Sequence, residues 1–370
     1  MIYLTHARTA YSEVTELFED AFYPQRVHWF PEAFNRLQTK MFYVPHRVAD
    51  KVLDPELCTF LRENPVGKTA FILAGGNQHF AGIQRTAKTS RLAYEYRFLP
   101  FTLTQVYAGR IGQQMGAHDL IQTDATACVS SLKVLMDTEV LMKHYGFDRV
   151  IVLTVEDAVS DSVLEFFGES GASLTLKQEQ EGVIPSAFDE KNRGFYVGQG
   201  AALAVFESDR AVKVTGVTPI ARLCGAYTAS ENCSNAIGQR EDGEGYVKAI
   251  WGALAQTQYH PDRLKIVKTH GTGTPSNNQA EKTALERCLP GGFIATSFKP
   301  KIGHTMGASG LLESAMLFES ISRGVVPAIP NRTQNDSVFL SQDTAVPDGL
   351  VLSLAAGMGN VYSAAIFEVN

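Results

Sequence analysis

One thiol, two imidazoles and one ammonium stand at turns in this sequence, each just after an extended-looking run. Cys128 lies in Thr123-Asp124-Ala125-Thr126-Ala127-Cys128-Val129-Ser130-Ser131, ahead of an apolar helical run from Leu132 to His144. A thiol at a helix N-terminus meets unpaired N–H groups and the positive end of the macrodipole, which favour the thiolate. The thiolate is the nucleophilic form, so the placement suggests covalent catalysis. His270 opens His270-Gly271-Thr272-Gly273-Thr274-Pro275 after the strand-like Leu264 to Thr269. Lys299-Pro300-Lys301-Ile302-Gly303-His304 follows another such run, Phe293 to Thr296. Side chains that leave strands at Gly-containing turns commonly project into one shared site. Taken singly, a cysteine is usually an inert small hydrophobe and a turn histidine usually structural. A metal site is disfavoured, since no third and fourth ligands stand at suitable spacing.

The elements that must position these groups alternate between strand and helix. Thr69 to Ala74, ending at Gly75-Gly76, reads as a buried strand, and Leu99 to Met115 as a helix with Pro100 in its first turn. The Cys128 turn and its helix follow, then a strand from Val150 to Thr154 and another from Ala201 to Glu207. The second half opens at Val212 to Leu223, with a helix from about Gly245 to Ala255 before the His270 strand. The run Ala308 to Ile321 mirrors the helix after Cys128, and strands Leu350 to Ala355 and Val361 to Val369 flank Gly357-Met358-Gly359. This alternation argues an α/β protein with largely parallel sheets. Residues 1–66 show no opening strand and read as packed helices and loops, with amphipathic candidates at Glu13 to Phe22 and Pro31 to Lys40.

Composition narrows the class. A chain of 370 residues with 45% hydrophobic and 19% charged residues has the make-up of a globular protein with a real core. A net charge of −6 carries no broad basic signature for nucleic acid. No 18-residue apolar run suggests a membrane span, and the start lacks the pattern of a signal peptide. Five cysteines, odd in number and without metal-ligand spacing, fit a reducing compartment, so a cytoplasmic location is expected.

The chain resembles β-ketoacyl synthases of the thiolase superfamily, in the branch with one cysteine and two histidines. The resemblance rests on Asp124 to Ser131, the segments at His270 and at Lys299 to His304, and Ser186-Ala187-Phe188-Asp189 through Gly200. Gly243-Glu244-Gly245-Tyr246 and Gly357-Met358-Gly359-Asn360 also fit, in the family's order over roughly residues 98–370. It implies a thiolase fold, α/β, with two pseudo-symmetric halves in five layers (α-β-α-β-α). Residues 1–209 would carry the nucleophile and 210–370 both histidines.

By the same resemblance, Cys128 takes an acyl group as a thioester, and a malonyl thioester then decarboxylates and attacks it. His270 and His304 would stabilise the enolate, Lys299 would support the site with Glu313 as its carboxylate partner, and Glu281 would hold the loop after His270. The backbone N–H groups of Cys128 and Met358 would form the oxyanion hole. Substrates would be acyl and malonyl thioesters on acyl carrier protein or coenzyme A, with no cofactor and no metal. Partners would be an acyl carrier protein and a second synthase-like subunit, as a homodimer or heterodimer, with no nucleic acid and no membrane. The family often has phenylalanine where this chain has Met358 and Ala356, aspartate at Asn278 and glutamate at Gln199, which points to a softer acyl pocket and a specialised polyketide, polyene or fatty-acid pathway. The competing reading is a non-catalytic partner like a chain-length factor, though such partners generally lack the nucleophile. A degradative thiolase would need a second cysteine near the C-terminus, and the last one here is Cys288.

Overall fold

A computed structural model describes residues 1–11, 15–17, 26–28, 49, 51–76, 103–157, 161–233, 235 and 237–370. Ten strands form its backbone: β1 (Ile2–Tyr11), β2 (Thr69–Ala74), β3 (Leu120–Asp124), β4 (Arg149–Asp157), β5 (Val197–Ser208), β6 (Ala221–Ser230), β7 (Leu264–Lys268), β8 (Ile294–Thr296), β9 (Leu350–Gly357) and β10 (Val361–Val369). They run in the spatial order β8-β7-β9-β10-β6-β1-β5-β4-β2-β3 within one 12-stranded sheet, whose other members are the short strands Thr15–Leu17 and Arg26–His28.

The order repeats. Counted along the chain, the first five strands are arranged 3-2-4-5-1, and so are the last five. In each half the fifth strand is antiparallel to its neighbours: β5 to β4 and β1, and β10 to β9 and β6. The halves meet where β1 pairs with β6 through Ile2, Tyr3 and Leu4.

Side-chain alternation sorts the layers. On β2, Ala70, Ile72 and Ala74 face one core while Phe71 and Leu73 face another. On β9, Val351 and Ala355 face the first of these cores, whereas Leu350, Leu352 and Leu354 face a third. Both faces are apolar, as expected of strands covered on each side. The shared core holds helices α3 (Ser130–His144) and α6 (Ser309–Ser322), through Leu132, Leu135, Leu311 and Leu312. Ser131 Oγ accepts from Leu311 N–H at 3.1 Å, binding the two helices to each other. Outside the first half lie α1 (Pro55–Glu63) and α2 (Thr104–Gln114); outside the second lie α4 (Glu244–Leu254) and α5 (Pro275–Cys288). The result is helix, sheet, helix, sheet, helix.

Three expectations change. Residues 1–66 do contain an opening strand: β1 spans Ile2–Tyr11 and sits at the seam of the sheet, and Thr15–Leu17 is strand rather than helix. The rest of the Glu13 to Phe22 segment and Pro31 to Lys40 lie outside the described residues. The helix expected from Leu99 starts at Thr104, with residues 99–102 outside the described part. Among the described residues, no helix is long and apolar enough to cross a membrane.

Candidate active site

Cys128 sits in a single 3-10 turn, Ala127–Val129, which leads from β3 into α3. Ala127 has φ 44°, a conformation that costs a non-glycine residue on the order of 1–3 kcal/mol and turns the chain sharply next to Cys128. The second half repeats the device. Met306, with φ 41°, starts the 3-10 turn Met306–Ala308 that leads into α6, and His304 stands two residues before it.

Backbone bonds fix His304 to the opposite half. Its N–H donates to Tyr196 O at 2.7 Å, and its carbonyl accepts from Gly198 N–H of β5 at 2.9 Å. The imidazole is likewise held, since Met306 N–H donates to Nδ1 at 3.2 Å and Ser309 Oγ lies 3.1 Å from the same atom. A nitrogen that accepts a backbone N–H carries no proton, so the ring proton of His304 resides on Nε2. Phe195 packs edge-on against this ring at 5.0 Å between centroids, and His270 meets it at 5.5 Å. His270 Nδ1 is buried without a hydrogen-bond partner, so this ring keeps unspent bonding capacity.

Both imidazoles are neutral. Burial, then Lys299, then His304 and Lys268 hold His270 well below the usual histidine range. Burial, Lys299 and Lys268 do the same for His304. The Lys299 ammonium lies 2.8 Å from Glu313 Oε1, and both side chains are fully buried. Lys301, two residues on, is exposed. Glu281 receives His270 N–H at 2.5 Å, Gly271 N–H at 3.0 Å and Asn277 Nδ2 at 3.0 Å, so it clamps the loop that carries His270.

Cys128, His270, His304, Met358, Phe195 and Thr272 line one cleft of about 90 Å³. Ala356 also lines it and is buried, whereas Met358 is 38% exposed at the mouth. The backbone N–H groups of Met358 and of Cys128 itself both bear on the Cys128 sulfur. Gly357 permits this approach, because a Cβ there would stand 3.2 Å from Cys128 N. Gly359 serves differently: the space around it is open, and its φ of 85° is the requirement.

The resting thiol departs from expectation. Burial, reinforced by the Glu156 carboxylate, pushes Cys128 up to about 12, against the pull of Lys299 and the two N–H groups. Desolvation therefore outweighs the helix terminus, and the site favours a thiol over a thiolate.

Two buried charges at this site escaped the sequence reading. Glu156, at the end of β4, accepts Gly76 N–H at 2.6 Å and Gly307 N–H at 3.1 Å, tying the turns of the two halves together. Lys268, the last residue of β7, donates to Leu354 O at 2.7 Å and lies 3.4 Å from Glu313 Oε2. The signal available was only a charge at or next to a strand end, Lys268 last in its strand and Glu156 last but one in its own. Among the departures noted in the sequence, Asn278 Oδ1 is buried without a partner, and Gln199 stands opposite Asp157 in the β4–β5 register. Among the described residues no group of three or more His, Cys, Asp or Glu could hold a metal ion.

Comparison with known proteins identifies the family and the fold. Residues 56–211 match the family model for the β-ketoacyl synthase N-terminal domain, and 220–333 match that for the C-terminal domain. The ketoacyl synthase alpha subunit of the tetracenomycin polyketide synthase of Streptomyces glaucescens is 28% identical over 285 residues, 74% of this chain and 66% of that one. The mitochondrial 3-oxoacyl-[acyl-carrier-protein] synthase of Arabidopsis thaliana is 26% identical over 247 residues, 65% of this chain and 53% of that one. The chain thus spans between about half and two thirds of the length of these relatives. A solved type II polyketide synthase acyl-carrier protein in complex with its ketosynthase superposes with a TM-score of 0.85 at 17% identity, covering 100% of this chain and 99% of that one. A β-ketoacyl synthase from Burkholderia phymatum gives 0.81 at 16%, with 100% and 99% covered. The fold is shared across that distance.

Proposed function

Since the chain belongs to the β-ketoacyl synthase family, we propose that it catalyses decarboxylative condensation of a malonyl thioester with an acyl group held on Cys128. The observation that carries this is one cleft containing a buried thiol, two backbone N–H groups directed at its sulfur, and two neutral imidazoles in contact. Neutral imidazole donates a hydrogen bond without giving up a full charge, which suits an oxygen that becomes negative only during reaction.

In the first step Cys128 sulfur bonds to the acyl carbonyl carbon and the carrier's C–S bond breaks. The proton lost from Cys128 ends on the departing carrier thiol. The N–H groups of Cys128 and Met358 hold the oxyanion formed on the way. In the second step the malonyl C–C bond breaks and carbon dioxide leaves. The electron pair passes into an enolate whose oxygen accepts from His304 Nε2–H and from His270. The enolate carbon then bonds to the acyl carbon, and Cys128 leaves as thiolate and regains a proton. Lys299, paired with Glu313, supplies a fixed positive charge to this anionic passage. Loss of carbon dioxide drives the bond formation, so the chemistry asks for no cofactor.

An acyl carrier protein is the proposed donor, in a cytoplasmic setting. A second synthase-like subunit, identical or related, is the proposed partner. β3 supports such pairing: it is the edge of the sheet next to the nucleophile, and all five of its residues are half-buried. Met358 and Ala356 favour a long or rigid acyl chain, consistent with a polyketide, polyene or fatty-acid pathway. The test is the mass of Cys128 after incubation with acyl carriers. A thioester adduct on Cys128, followed by release of a β-ketoacyl product with malonyl carrier, is expected. No adduct from any acyl donor would favour the chain-length-factor reading instead.

A further inference from the structure

Lys268 is 0% exposed and stands two residues before His270. Its ammonium and that of Lys299 share a single carboxylate, Glu313, at 3.4 Å and 2.8 Å from its two oxygens, and all three side chains lie within the core. The other charged or titratable groups bearing on Lys268 are Glu281, already held by three donors, and the two imidazoles. Structure alone does not ask for this composition. Lys299 and Glu313 would balance without a second cation, and an apolar residue would be buried at lower cost than an ammonium.

We propose that Lys268 is a positioning residue for decarboxylation: as the second ammonium on Glu313 it adds a positive charge near His270 and His304, favouring imidazole over imidazolium and the enolate over its precursor. This rests on the condensing reading of the site. The field of Lys268 acts on both rings, in the same direction as that of Lys299. Burial lowers Lys268 itself to about 8 against the pull of Glu313 and Glu281, so its charge is present at neutral pH and lost as the pH passes about 8.

Two measurements test this on the full chain, with Lys268→Met and Lys268→Arg. The first is decarboxylation of malonyl carrier from pH 6 to 9.5. Wild type should slow as the pH passes about 8. Lys268→Met should be slower at pH 7, on the order of tenfold, and should lose that alkaline fall. Lys268→Arg, whose charge persists past pH 12, should keep the higher rate through pH 9.5. The second is the 15N-imidazole titration of the resting protein, in which His270 or His304 should take up a proton at higher pH in Lys268→Met than in wild type. Lys268→Met keeps the Lys299–Glu313 pair and leaves Glu281 with its three N–H donors. An unchanged alkaline fall in Lys268→Met, or unmoved imidazole titrations, would overturn the proposal. If wild type fails to decarboxylate at all, the condensing reading is what fails, and the imidazole titrations still decide the role of Lys268.

Discussion

Glu313→Gln removes the carboxylate that Lys268 and Lys299 share while keeping its shape. In the wild type, burial already lowers Lys268 from 10.5 to about 8. At 1.36 kcal/mol per pH unit, holding that proton at pH 7 costs about 3 kcal/mol of folding free energy. Stripping a buried ion of its partner typically adds about 3–5 kcal/mol, a large part of the 5–15 kcal/mol that stabilises a typical domain. The variant should respond by releasing the Lys268 proton at a lower pH than the wild type. In the window between that pH and about 8, its unfolded chain binds more protons than its folded form, so its stability rises with pH while that of the wild type stays level. Above about 8 both proteins gain alike. Because release of the proton caps the cost, urea unfolding at pH 6.5 and 8.5 reads two things: a deficit from Lys268 of up to about 2 kcal/mol at the lower pH, and a smaller one at the higher. A deficit under about 1 kcal/mol, or one equal at both values, would refute the picture of two buried ammoniums balanced on one carboxylate.

Cys128→Ala should abolish condensation yet leave decarboxylation of malonyl carrier measurable, because both imidazoles and Lys299 remain; full condensation in this variant would remove Cys128 from the mechanism. His304→Ala should lower decarboxylation by about 10²–10³-fold while acyl transfer to Cys128 persists, and a normal decarboxylation rate would make the ring structural. In the resting protein, iodoacetamide should label the partly exposed Cys233 well before Cys128, which is buried and titrates near 12; peptide mass mapping against time gives the order, and early labelling of Cys128 would mean that its thiolate is already formed. Met358→Phe should slow acylation by long conjugated chains more than by short ones, since it adds a ring at the cleft mouth. Equal slowing of both would place Met358 off the acyl path.

Long, strongly patterned segments were legible in the sequence. The strand at Thr69–Ala74 and the final strand Val361–Val369 fall within their expected bounds, and α3, α4 and α6 lie within two residues of theirs. β1 was not legible. Only Ile2, Leu4 and Thr5 are buried along it, His6 and Arg8 interrupt the apolar pattern, and its place is set by partners about 200 residues away. The grouping of Cys128, His270 and His304 was legible through the resemblance of their flanking motifs, because turns that present reactive groups keep a local signature. Lys268 and Glu156 were not, since a charged residue at a strand end is usually solvated, and only the layers above and below reveal that these two are enclosed. The protonation state of Cys128 was misread for a related reason. A helix terminus can be read locally, whereas the depth at which the sulfur sits cannot.

The pairing order of the sheet has a consequence for synthesis on the ribosome. β10 lies between β6 and β9, and β1 lies between β6 and β5, so the outermost pieces of the described sequence fill two central places of the sheet. Strands made early must wait for β10 before the second half can close, and Met358 reaches Cys128 only when the hairpin of β9 and β10 arrives. Pairings this distant in sequence form slowly and leave unpaired edges exposed meanwhile. A nascent chain would therefore hold Cys128 and both histidines before the Met358 N–H is in place, and would complete the cleft in one late step.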